Sequence, residues 1–144
     1  MKRTCLALLA LFASAPLLAA GDSHGALAVD RTDKFHYGFS HDYASGPAAS
    51  ERALQECAKH SANCAVVMRF SGKGCVAYAT VPPDMGDAIG WGSGKTKALA
   101  KQQALAACEK DSAGAACSHN VWACNGSGSG KLRVERGAAA QQGA

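Results

Sequence analysis

Apolar and polar positions change period several times along the chain, and each change marks an element. Ala26-Leu27-Ala28-Val29 is a short apolar run that reads as a strand, followed by the turn-like Asp30-Arg31-Thr32-Asp33. Phe35, Tyr37 and Phe39 alternate with His36, Gly38 and Ser40, the period of two expected of a half-buried strand. Ser45-Gly46-Pro47 then starts a helix with proline in its first turn, running to about His60, with Leu54 and Cys57 three apart on one face. Cys64 to Phe70 reads as a strand, Ser71-Gly72-Lys73-Gly74 as a hairpin turn, and Cys75 to Val81 as the returning strand.

Pro82-Pro83-Asp84 interrupts the chain, and the order of elements recurs. Ala88-Ile89-Gly90-Trp91-Gly92 takes the place of Tyr37-Gly38-Phe39-Ser40. A helix follows from about Lys95 to Lys110, starting at Ser93 or Gly94, with Leu105 and Cys108 placed as Leu54 and Cys57 are. Residues 117 to 124 form a closing strand with Val121 and Trp122. Self-similarity of this kind is read before any local motif. Two units are too few for a solenoid. The expected fold is α+β: one small disulfide-stapled domain of two pseudo-symmetric β-β-α-β-like halves, about 26–75 and 76–125, with both helices packed on an antiparallel sheet. Small alanines would let each helix sit close to that sheet. From Asn125 onward, glycine, serine, alanine and glutamine predict a flexible tail over 126–144.

The glycine–aromatic element, the alanine-rich helix ending in cysteine and the following cysteine-led strand, with Val121-Trp122 in the second copy, duplicated behind a signal-like segment, resemble the domain-of-unknown-function 4189 family of bacterial exported proteins. The resemblance spans roughly residues 26–125. It implies a bacterial source, export and a small α+β domain, and it carries no activity and no catalytic residues. One departure stands out: six residues separate Cys117 from Cys124, against ten between Cys64 and Cys75, which puts strict equivalence of the third cysteines in question.

Composition sharpens this picture. Residues 1–20 read as a secretory signal: Lys2 and Arg3, an apolar stretch from Leu6 to Leu18, then Ala19-Ala20-Gly21. The stretch is short and broken by Ser14 and Pro16, so no membrane span is expected after cleavage, and Cys5 leaves with the signal. The net charge of +4 falls to +2 without Lys2 and Arg3, thirteen basic side chains against eleven acidic. That balance, with no dense basic run before the tail, argues against a nucleic-acid partner. The apolar content is mostly alanine, which removes little surface from water, so covalent staples suit this chain in the periplasm or outside the cell.

Six cysteines remain: Cys57, Cys64, Cys75, Cys108, Cys117 and Cys124. They allow fifteen pairings, and the sequence does not choose among them. Equivalence of the halves favours Cys57–Cys64 and Cys108–Cys117 as local bridges, with Cys75–Cys124 joining the halves. Gaps of six to ten residues and the lack of Cys-x-x-Cys speak against zinc or a redox pair. An even count in an exported protein speaks against a catalytic thiol. No metal or cofactor is expected.

Each remaining motif has a plainer explanation beside it. Gly90 to Thr96 resembles a phosphate-binding loop, but Ile89 stands where that loop needs glycine. Weak anion binding at this helix start is a minor reading; glycines making room beside Trp91 is the better one. His41 and Asp42 are adjacent, so a regular strand would send them to opposite faces. His60 suits a helix end. Tyr37, Phe39, Trp91 and Trp122 are assigned to the core rather than to a binding patch, because large apolar residues are few. Lys95, Lys97 and Lys101 crowd one side of the second helix, either as a solvated face or as an interaction surface for an acidic partner or lipid headgroups.

No assembled catalytic set is visible, and the chain reads as more in keeping with a non-enzyme. The leading functional reading is an exported module that binds another protein in the bacterial envelope or beyond it. The alternatives are a small hydrolase using His36, His41 or His119 with a carboxylate, and a purely structural envelope protein. Partner identity and oligomeric state are not in the sequence.

Overall fold

The computed structural model describes residues 21–137; the expected signal segment with Cys5, and residues 138–144, lie outside the described residues. The first half runs β1 (His24–Asp30), β2 (Tyr37–Tyr43), α1 (Gly46–Cys57) and β3 (Cys64–Ser71). The second runs β4 (Gly74–Thr80), β5 (Ile89–Gly94), α2 (Lys97–Asp111) and β6 (His119–Asn125), and a last strand β7 spans Arg133–Arg136. A single 3-10 turn at Pro83–Met85 precedes β5.

The strands form two antiparallel sheets, ordered β2-β1-β3-β7 and β5-β4-β6. In each half the first strand is central, flanked by the second and the last. Leu27, Val29, Met68 and Phe70 of one sheet pack with Val76, Tyr78 and Ala123 of the other. On its other side β1 presents Ala26 and Ala28 to Ala49, Ala53 and Cys57 of α1. Likewise β4 presents Cys75, Ala77 and Ala79 to Ala100, Ala104 and Cys108 of α2. The layers are therefore helix, sheet, sheet, helix. The single sheet expected from the sequence is corrected to two. The reason lies in the central strands: both faces of β1 and β4 are apolar, and β4 is buried along its whole length. A strand like that must be covered on both sides.

Alternation sorts side chains by size. Large residues fill the space between the sheets, where layers pack about 10 Å apart. Alanine and glycine fill the helix contacts, where backbones nearly touch. A Cβ on Gly38 would lie 2.2 Å from the Ala53 carbonyl oxygen and 2.4 Å from the Cys57 nitrogen. One on Gly90 would lie 2.1 Å from the Ala104 oxygen and 2.3 Å from the Cys108 nitrogen. The same glycine meets the same turn of helix in both halves. The helix face is consequently Ala49-Ala53-Cys57 and Ala100-Ala104-Cys108, at a spacing of four. Leu54, expected beside Cys57, is exposed, whereas Leu105, expected beside Cys108, is half-buried against the α2 contact.

Helix starts are fixed by side-chain caps. The Ser45 hydroxyl accepts the Ala48 N–H, with Pro47 in the first turn. Thr96 plays the same part for α2, accepting from Leu99. The helix start expected at Ser93 or Gly94 is corrected: those residues end strand β5, and α2 begins after Thr96.

Cys57 is bonded to Cys64, Cys108 to Cys117, and Cys75 to Cys124. This is the pairing that equivalence of the halves favours. Cys75 and Cys124 are not equivalent positions, however: the first opens β4 and the second lies in β6, directly opposite. The expected tail is corrected at Arg133–Arg136, which pairs antiparallel with β3. Leu132 and Val134 pack against the inter-sheet core, and these two apolar residues draw an otherwise polar segment onto the sheet.

Candidate functional site

Trp122 is the residue whose environment departs most from the sequence reading. It was assigned to the core, and it is 41% exposed. Its partners across β4 and β5 are Ala77 and Gly92, both on the α2 side of the sheet. Helix α2 lies mainly over β5 and β4, so the ring on β6 emerges beside the helix. There the Lys97 ammonium stands 4.6 Å and the Lys101 ammonium 4.3 Å from the ring centroid. Each ammonium is attracted to the indole face, while the two like charges, four residues apart on α2, repel each other, so the exposed ring carries a concentrated positive charge. Among the described residues neither lysine forms an ion pair. Asn120 donates from Nδ2 to the Lys101 carbonyl at 3.2 Å, which ties helix and strand together at this point.

Lys95 separates from the other two. It precedes the Thr96 cap and lines a groove of about 710 Å³ with Lys73, Gly74, Gly94, Lys131 and Leu132. Three lysines and no carboxylate line this groove. Of the three expected interaction residues, the structure therefore joins Lys97 and Lys101 on Trp122 and places Lys95 in a second cationic feature. Lys73 and Lys131 were missed by sequence reasoning. The bridge between Lys73 and Lys131 brings them together from positions 58 residues apart, and no local pattern signals that.

Among the described residues, His41 and His36 each lie against a neighbouring aspartate. Asp42 has φ of +58°, so the strand alternation breaks and His41 Nδ1 lies 3.2 Å from Asp42 Oδ2. The expectation that the pair points to opposite faces is thereby corrected. Asp42 Oδ1 accepts from the N–H groups of Gly126 and Ser127 and from the Ser127 hydroxyl at 2.8 Å. Burial alone would raise this carboxyl, but the bonds from Ser127, His41 and Gly126 prevail and hold its pKa at about 2. The contacts run histidine, aspartate, serine. A nucleophilic triad needs the histidine between the other two, so this geometry gives Ser127 no histidine base. Asp42 instead ties the end of β2 to the segment after β6, and Asn125 completes the tie through Asp42 N–H, the Ser23 carbonyl and the Gly72 carbonyl.

Asp30, Asp33 and His36 bring one ligand atom each within 4.8 Å of the others. In sequence, Asp30 to Asp33 is turn-like and His36 belongs to the alternating segment that follows. The carboxylate oxygens serve that turn: Asp30 Oδ1 accepts from Thr32 N–H and Asp33 N–H, and Asp33 Oδ1 accepts from Phe35 N–H and His36 N–H. A hydrogen bond from Ser61, opposed by burial and helped by the backbone N–H groups, lowers the Asp30 pKa. His36 Nδ1 lies 2.9 Å from Asp33 Oδ2, and its ring stacks on His60 at 6.0 Å. Of His119 only the place in β6 is described.

The family model for a domain of unknown function (DUF4189) matches residues 24–124. The chain belongs to that family. No curated protein and no solved structure matches it. The three disulfides suit an oxidising compartment, and no helix among the described residues is long and apolar enough to cross a membrane. What this DUF4189 domain carries on its α2 side is a rigid, cysteine-stapled face with an aromatic residue and unpaired lysines.

Proposed function

We propose that the chain is an exported, non-catalytic binding module of the bacterial envelope or exterior, and that it docks on an acidic protein partner through α2 and β6. The observation that carries this reading is Trp122, exposed and overlaid by Lys97 and Lys101, while the other large aromatics among the described residues are half-buried or buried. Aromatic residues ringed by polar ones anchor protein interfaces, and unpaired lysines give charge complementarity and faster encounter. Export is supported by the signal-like residues 1–20 and by the disulfides.

The test uses the oxidised mature protein and a carbodiimide, which joins lysine amines directly to carboxylates. The expected product links Lys97 or Lys101 to an aspartate or glutamate of the partner, and it disappears in the Lys97→Gln, Lys101→Gln double variant. A partner captured equally well by the double variant, or links only at other lysines, overturns the reading.

A further inference from the structure

The two halves have the same connectivity, but their last strands end differently. In the first half the outer edge of β3 is covered by β7, paired antiparallel from Ser71↔Arg133 to Met68↔Arg136. The counterpart of β3 is β6, and among the described residues no strand pairs with its outer edge. The register shows which groups that edge offers. Cys75 and Cys124 face each other with Cα atoms 4.0 Å apart, the narrow, non-hydrogen-bonded kind of antiparallel pair. Ala77–Trp122 and Ala79–Asn120 are pairs of the same kind. The N–H and C=O groups of Asn120, Trp122 and Cys124 therefore point away from β4.

The same parity turns the amides of Ile89, Trp91 and Ser93 to the outer side of β5. There the chain protects itself: Ile89 N–H donates to Asp111 at 3.1 Å and Ser93 N–H to Gln103 at 3.3 Å, both from α2. No such side chain serves the β6 edge among the described residues. Exposed edges are templates for strand addition, and proteins usually blunt them.

We infer that the β6 edge takes an extended acidic peptide of the partner as an added antiparallel strand, in the position that β7 occupies beside β3. This rests on the proposed acidic partner and specifies how that partner is held. An added strand places alternate side chains on the α2 side of the sheet, next to Trp122. Glutamates at those positions meet the Lys97 and Lys101 ammoniums. A second copy of this chain is disfavoured as the occupant, because β6-to-β6 pairing brings both copies' lysines to one junction. Residues 138–144 hold no acidic side chain to match the lysines.

The probe is a capped heptapeptide in which glutamate alternates with valine or threonine, added to the oxidised, 15N-labelled mature protein. Binding that slows exchange of the Asn120, Trp122 and Cys124 amides by about tenfold, and weakens about tenfold when alternate peptide amides are N-methylated, supports strand addition. Binding that depends on Lys97 and Lys101 but leaves those amides and the N-methylated peptide unaffected overturns strand addition and spares the acidic-partner reading. Failure of the peptide to bind at all overturns the strand addition. Amides already slow in the free protein, or a dimer formed through β6, do so too, and identify this chain itself as the occupant. The lysine cross-link to a partner separately decides the parent reading in each case.

Discussion

Helices α1 and α2 occupy matching places on matching sheets, yet their outer surfaces differ. On α1 the basic charges are answered within the element and its end: Arg52 pairs with Glu56, and Lys59 with Glu56 at 2.6 Å. The hydrogen bond from Lys59, opposed by burial and helped by the nearby Arg52 and Lys59 charges, lowers the Glu56 pKa. On α2, Lys97 and Lys101 lean on Trp122 with no carboxylate in reach. The inner faces are interchangeable in kind, alanine and cysteine against glycine. The lesson is that the scaffold is common to both halves, while the second half carries an exposed aromatic overlaid by two lysines that form no ion pair among the described residues. One half adds β7 beside its last strand; in the other, among the described residues, the last strand is itself the edge.

The comparison can be strained most severely at the staples. Loss of Cys75–Cys124 as a double serine variant is expected to cost about 4 kcal/mol, since it closes the longest loop, and loss of either local bridge about 2.5 kcal/mol. Chemical denaturation of the three variants measures this. Equal costs for Cys57–Cys64 and Cys108–Cys117 support equivalence of the halves; a difference above about 1.5 kcal/mol breaks it.

Next come Gly38→Ala and Gly90→Ala. Each forces a methyl into helix backbone that cannot give way, so each should cost about 3 kcal/mol. Thermal unfolding that shows one of them tolerated would mean that its helix can lift off the sheet and the other cannot.

Asp42→Asn sharpens the comparison at the seam. It keeps a residue tolerant of positive φ but weakens the bonds from Gly126 and Ser127, at a cost of about 1–2 kcal/mol near neutral pH. Because the folded carboxyl titrates at about 2, below its ordinary 3.8, its contribution is fully present above about pH 4. It is lost as the pH falls through about 2. Stability of wild type and variant should therefore converge as acid is added, and an unchanged gap at pH 2 would contradict the assignment.

The smallest effect on stability is expected at the surface. Lys97→Gln with Lys101→Gln should change unfolding free energy by less than about 1 kcal/mol, the scale of exposed cation–aromatic contacts, while abolishing partner binding. Arg52→Ala on α1 should leave binding intact. Loss of binding on Arg52→Ala, with retention in the lysine variant, would move the interaction surface to the other helix.

Much of the fold was legible because it depends on local periods. Alternation at Phe35 to Ser40, alanines at helical spacing and the recurrence of Gly–aromatic before each helix located the strands and both helices. Equivalence of cysteines even pointed to the observed pairing. The candidate site was legible only in part: the lysines were singled out for their spacing on α2, but Trp122 was placed in the core because composition says nothing about where a helix crosses a sheet.

By itself, the sequence determined the elements, their twofold order and the small size of every residue under the helices, since these follow from side-chain period and volume. Tertiary structure alone decided that there are two sheets rather than one, that Arg133–Arg136 completes the first of them, and that Lys97, Lys101 and Trp122 meet. The reason is that each of these depends on which faces remain uncovered after the local elements form. That is settled by contacts between distant segments, where no local pattern reaches.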